Sequence, residues 1–76
     1  MTRGYVLINT EVGKASEVVE QVRHIPGVTL VDVVTGPYDI VAVVEGADTT
    51  ALGKLVLNQL HGTPGLTTTT TLLALS

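Results

Sequence analysis

The sequence predicts an α+β fold in which four strands and two helices follow one another in the order β-α-β-β-α-β. Three observations carry it. Pro26-Gly27-Val28 and Pro64-Gly65-Leu66 stand 38 residues apart, half the length of a 76-residue chain, so the chain reads as two copies of one pattern. Each Pro-Gly follows apolar residues at helical spacing and precedes a strand-like run. Between the copies, the polar break Thr35-Gly36-Pro37-Tyr38-Asp39 separates two apolar, β-branched runs and reads as a hairpin tip.

The first strand is expected over Tyr5 to Thr10. Ala15, Val18, Val19, Val22 and Ile25 then recur at three- and four-residue steps and mark one face of a helix. Pro26 forbids its continuation, and Gly27 allows the reversal into a second strand, Val28 to Thr35. The third strand is expected over Asp39 to Glu45. Leu52, Leu55, Val56 and Leu60 give the second helical face, with Asp48 or Thr49 able to cap its start. Leu66 to Leu75 closes the fold as the fourth strand. Right-handed crossovers put both helices on the same face of one antiparallel sheet, which is the ferredoxin-like arrangement. Residues 1–76 form one domain, with no linker and no room for a second.

A domain this small buries only ~60% of the surface its unfolded chain exposes. Phe, Trp and Cys are absent, which removes aromatic bulk, disulfides and thiolate-bound metal as sources of stability. Yet 45% of the residues are hydrophobic and only 14% are charged. Patterning says where the excess lies. Val6 and Ile8 face one side of the first strand and Tyr5 and Leu7 the other, while Ile40, Ala42 and Val44 oppose Val41 and Val43. Helices cover one face. The simplest cover for the other is the same face of a second subunit, giving a face-to-face homodimer or a closed, barrel-like α/β pair.

The net charge is −3, and Arg3, Lys14, Arg23 and Lys54 are scattered. A phosphate backbone needs concentrated positive charge, so direct nucleic-acid binding is not expected. The apolar run Tyr5 to Ile8 is too short for a signal-peptide core, and no segment approaches a membrane span. A cytoplasmic location and no membrane partner are expected.

The densest chemistry lies at the hairpin tip. Gly36 can take φ > 0, and Pro37 presets the turn while offering no N–H. A small ligand with a cationic and an anionic end needs acceptors for the first and donors for the second. Asp39 can accept from the first, and the N–H groups of Tyr38 and Asp39 can reach the second past the bare Gly36. The same residues have plainer readings: a turn glycine, an aspartate bonding its own turn, a tyrosine covering an interface. Thr67 to Thr71 is the other unusual run; period-two geometry places Thr67, Thr69 and Thr71 on one face and Thr68 and Thr70 on the other. A solvated edge strand is its plain alternative. His24 and His61 sit near predicted helix C-termini, where imidazole suits the dipole. No Cys accompanies them and no carboxylate stands at a ligand-like spacing, so neither a metal nor another cofactor is expected. Asp32 shares a predicted face with Val28, Leu30 and Val34, which puts it at an edge or opposite a basic residue across an interface.

Together, Ile25-Pro26-Gly27-Val28, Val33-Val34-Thr35-Gly36-Pro37-Tyr38-Asp39 and the Thr-rich strand after Pro64-Gly65 resemble the effector-binding domain of the leucine-responsive/asparagine-responsive (Lrp/AsnC) transcription regulators, over essentially the whole chain. The resemblance implies an oligomeric regulatory module. Its effectors would be amino acids or similar small metabolites, bound where one dimer meets another, often in rings of dimers. It implies effector contacts from Gly36, Pro37, Tyr38 and Asp39, and from hydroxyls among Thr67, Thr68, Thr69 and Thr70 of a neighbouring subunit. Full-length members carry a helix-turn-helix domain before this module, whereas here the first strand is expected to begin within five residues of Met1. A stand-alone version is therefore expected, one that acts through assembly or by docking onto a full-length regulator. Two other classes share the strand order. Small dimeric α+β barrel monooxygenases usually place His, Tyr, Trp or Asn between helices and sheet, where this chain offers only Tyr5, Asn9 and Asn58. That is thin for acid–base work, and no enzyme activity is expected. The ACT-like amino-acid-binding domains lack support from the hairpin motif.

Overall fold

The structure, a computed structural model, describes residues 1–75. Its elements are β1 (Thr2–Thr10), α1 (Ala15–Arg23), β2 (Val28–Val33), β3 (Ile40–Gly46), α2 (Thr49–Leu55) and β4 (Leu66–Leu73), with α2 continuing into a π-helical turn, Val56–Leu60. The strands form one antiparallel sheet in the spatial order β2-β3-β1-β4. This is the expected βαββαβ arrangement. Val6, Ile8, Ile40, Ala42 and Val44 of the sheet pack against Val18, Val19, Val22, Leu52, Val56 and Leu60 of the helical layer in one continuous core. β1 starts at Thr2 rather than Tyr5 because Thr2, Arg3 and Gly4 find ladder partners in Gly46, Glu45 and Val44. β4 ends at Leu73 rather than Leu75, where its pairing with Gly4 runs out.

Of the two residues able to cap α2, Asp48 does so, its carboxylate accepting the Ala51 N–H at 2.8 Å. The π turn departs from the regular helix expected there, and its cause is visible in the spacing. Leu52, Val56 and Leu60 are all buried at strict four-residue steps, which drift around an axis of 3.6 residues per turn. The wider turn, closed by the His61 N–H on the Val56 carbonyl at 3.0 Å, keeps Leu60 on the buried side.

Three local expectations are corrected. The strands flanking the hairpin tip stop at Val33 and resume at Ile40 instead of reaching Thr35 and Asp39. The loop 34–39 that joins them is closed by the Val34 N–H on the Asp39 carbonyl at 2.9 Å. Pro37 has no ladder donor and Gly36, at φ +138°, leaves the extended path. In β2 the register slips between Val28, paired with Val44, and Leu30, paired with Val43. Val28 and Val31 therefore pack on the core, while Leu30 and Asp32 fall on the opposite face, so Asp32 does not share a face with Val28 and Val34 lies outside the strand. Asp32 does lie on an edge strand, exposed. In β4, Thr68 opposes Asn9 while Leu66 opposes Thr10, so Thr67 is the extra residue of a bulge and does not join Thr69 and Thr71 on one face. Thr69 and Thr71, opposite Ile8 and Val6, share the helix-facing side; Thr68 and Thr70, opposite Asn9 and Leu7, share the other.

That other face is uncovered within one chain. Tyr5, Leu7, Val41 and Val43 lie half-buried across its centre, with Leu30 and Leu72 about half exposed at its flanks (49% and 51%).

Candidate functional site

β1 runs between β3 and β4, and its C-terminal end brings the hairpin loop and the start of β4 to one place. Asp39 Oδ2 accepts from the Thr10 N–H at 2.9 Å and from the Thr10 hydroxyl at 3.2 Å. Asn9 reaches the other way. Its Nδ2 donates to the Thr68 hydroxyl at 3.3 Å, and its carbonyl accepts from the Thr67 hydroxyl at 3.1 Å. The Glu11 N–H then donates to the Gly65 carbonyl at 2.8 Å, fixing the strand end to the turn before β4. Sequence reasoning names the loop and the threonines, and names Asn9 only as a polar candidate between helices and sheet, whereas Asn9 pairs with Thr68 on the face away from the helices; Thr10 it does not name. The signal available is a polar pair ending an otherwise apolar strand.

The structure sorts the expected residues. Asp39 bonds across to β1 rather than within its own turn. Its N–H donates to the Ile8 carbonyl at 3.0 Å, so it is not available to a ligand carboxylate as the sequence suggested. The Tyr38 N–H has no intramolecular partner among the described residues, and Pro37 has no N–H to give. A Cβ added at Gly36 would meet nothing within 4 Å, which leaves the loop open to approach. Thr67, Thr68 and Thr70 stand near or on the uncovered face. Thr69 does not: its hydroxyl lies 2.7 Å from His61 Nε2 on the helix side.

His24 Nε2 lies 3.3 Å from Glu20 Oε1, so a carboxylate does stand one turn before His24, contrary to the sequence reading. The pair has no third member; among the described residues no three His, Cys, Asp or Glu side chains gather to hold a metal ion. At the opposite end of the uncovered face, Tyr5, and then Glu45 in an ion pair at 3.5 Å, hold the Arg3 guanidinium above its ordinary value. Among the described residues, no helix is long and apolar enough to cross a membrane.

The βαββαβ sheet thus carries one bare apolar face and, at its end, a cluster of acceptors and hydroxyls. Residues 3–76 match the model of the Lrp/AsnC ligand binding domain. The chain belongs to that family, which is regulatory and non-enzymatic. It is 34% identical over 76 residues to PF0250, an uncharacterized HTH-type transcriptional regulator of Pyrococcus furiosus, covering 96% of this chain and 51% of that protein. The chain thus spans about half the length of the curated relative it matches. The crystal structure of TTHA0845 from Thermus thermophilus superposes with a TM-score of 0.95 at 34% identity, covering 100% of this chain and 95% of that one. The transcriptional regulator NMB0573 of Neisseria meningitidis, solved as a complex with L-Met, shares the fold with a TM-score of 0.88 at 21% identity, over 99% of this chain and 50% of its own.

Proposed function

We propose that this chain is an amino-acid sensor that works as a homo-oligomer of face-to-face dimers. The carrying observation is the Asp39 carboxylate held by Thr10 beside the Tyr38 N–H, which has no partner among the described residues, at the end of an uncovered apolar face on which Thr68 and Thr70 also lie. The ligand's ammonium is held by Asp39. Its carboxylate is met by the Tyr38 N–H, beside Gly36 and Pro37, and by hydroxyls of Thr68 and Thr70 from a neighbouring copy, since Thr67 gives its one proton to the Asn9 carbonyl. Thr69, occupied by His61, takes no part. Charge-assisted hydrogen bonds contribute about 1.5–3 kcal/mol each, so two or three, with burial of the ligand, support roughly micromolar affinity. That NMB0573, which shares this fold, was crystallised with L-Met supports an amino acid as the ligand class. Burying Tyr5, Leu7, Val41, Val43 and Leu72 against a second copy removes the apolar excess, and dimers can associate further into rings. The output is a change of assembly or docking onto a full-length regulator of the family.

The test is a thermal-shift screen over the twenty amino acids, followed by calorimetry with the strongest hit and sedimentation of the free and bound protein. Saturable binding of at least one amino acid by an oligomer supports the reading. No shift with any of them, together with no small molecule in native mass spectra, overturns it.

A further inference from the structure

Asp39 is fixed by a residue outside its own loop. One carboxylate oxygen, Oδ2, is saturated by two donors from Thr10. The other, Oδ1, has no partner among the described residues; since no buried side-chain oxygen or nitrogen lacks a partner, Oδ1 is open to solvent. The backbone is pinned on both sides as well, by the Asp39 N–H on Ile8 and by the Asp39 carbonyl under the Val34 N–H. Thr10 itself is anchored, because the next residue, Glu11, is tied to Gly65. A carboxylate held this way offers a ligand one oxygen in one direction, and little freedom is lost when a donor arrives.

We infer that Thr10 is a positioning residue for effector recognition, setting Asp39 so that Oδ1 faces the ligand's amino group. The inference rests on the effector site proposed above. It also names the chemical class: a protonated amine at this position, in preference to a hydroxyl, which carries no charge, or a keto group, which has no proton to donate.

Calorimetry on the full chain tests it, with the amino acid of largest thermal shift and its 2-hydroxy analogue as probes. Thr10→Val keeps the backbone N–H and the β-branch but removes the hydroxyl; Thr10→Ser restores it. Asp39→Asn keeps an oxygen for Thr10 and removes the charge. Affinity for the amino acid should fall about fivefold in Thr10→Val and return in Thr10→Ser. It should fall about thirtyfold in Asp39→Asn, with no further loss in the double variant. The hydroxy analogue, whose hydroxyl donates to Oδ1 without carrying a charge, should bind wild type more weakly than the amino acid does and lose less in Thr10→Val. Thr10→Ala repeats the comparison should the valine variant fold poorly. Wild-type affinity in both Thr10→Val and Thr10→Ala, with Asp39→Asn weakened, overturns the inference and leaves the site standing. Equal losses in the valine and serine variants overturn it too, since restoring the hydroxyl would then restore nothing. Wild-type affinity in Asp39→Asn overturns the site itself.

Discussion

The carbonyl of Gly65 accepts the Glu11 N–H at 2.8 Å, and the carbonyl of Gly27 accepts the Glu45 N–H at the same 2.8 Å. In each half, then, the glycine after the helix stitches its turn to the end of a neighbouring strand, β1 in one case and β3 in the other. The turns close alike too, with the Val28 N–H on the Ile25 carbonyl and the Leu66 N–H on the Thr63 carbonyl. The sequence repetition is a repetition of hydrogen bonds.

Gly27 is the less replaceable of the turn glycines. Its φ is +99°, and an added Cβ would stand 2.5 Å from Leu55 Cδ1 and 3.2 Å from the Glu45 carbonyl oxygen. The leucine tip can move; the backbone conformation cannot be relieved. Gly27→Ala should cost about 2 kcal/mol in urea unfolding. Gly53→Ala, in open space on α2, should instead stabilise by up to ~1 kcal/mol. A wild-type midpoint for Gly27→Ala would show that the turn relaxes.

The π turn separates two leucines with opposite fates. Leu60 is fully buried and Leu57 is 66% exposed. Leu60→Ala should lose about 2–5 kcal/mol, whereas Leu57→Ala should stay within roughly 0.5 kcal/mol of wild type. Equilibrium denaturation of the two variants measures the difference, and equal losses would show that Leu57 is buried as well.

Leu7 sits mid-way along the central strand, opposite Val41 and Thr70 on the face away from the helices. Leu7→Glu should leave the fold intact, since the core lies behind the sheet, yet give a monomer in sedimentation, because a desolvated carboxylate is costly at an apolar contact. A Leu7→Glu dimer would place the subunit contact elsewhere.

Asp39→Ala removes both the charge and the acceptor for Thr10, and should weaken amino-acid binding by roughly 2 kcal/mol, about thirtyfold. Gly36→Val should be worse. Space is open around Gly36, so the damage comes from a β-branched residue at φ +138°. Neither change should abolish dimerisation, which light scattering alongside calorimetry will show.

With a net charge of −3 and no cluster among its four cations, this 76-residue chain should give no gel shift with duplex DNA at physiological salt. Nanomolar binding by the isolated chain would contradict the charge argument.

Periodicity made the architecture legible. The apolar pattern of Val18, Val19 and Val22 and the alternation of Ile40 to Val44 are direct images of burial, and the structure follows both. What escaped were departures from period. The slip after Val28 and the extra Thr67 each move side chains to another face, and nothing in the local sequence marks a bulge. The site was half legible for a related reason. Asp39 stood out as the carboxylate of a polar turn between two apolar runs, but its partner Thr10 lies 29 residues away, and only strand pairing brings them together.

The absence of aromatic rings from the core has a practical consequence. Valine, leucine, isoleucine and alanine absorb no near-ultraviolet light, so the interior is optically silent. The two tyrosines are the only chromophores of their kind, and each stands at a place where an event is proposed: Tyr5 on the uncovered sheet face, Tyr38 in the loop beside Asp39. Their emission therefore reports association and ligand capture separately, once each is replaced by leucine in turn, with no background from the packed interior.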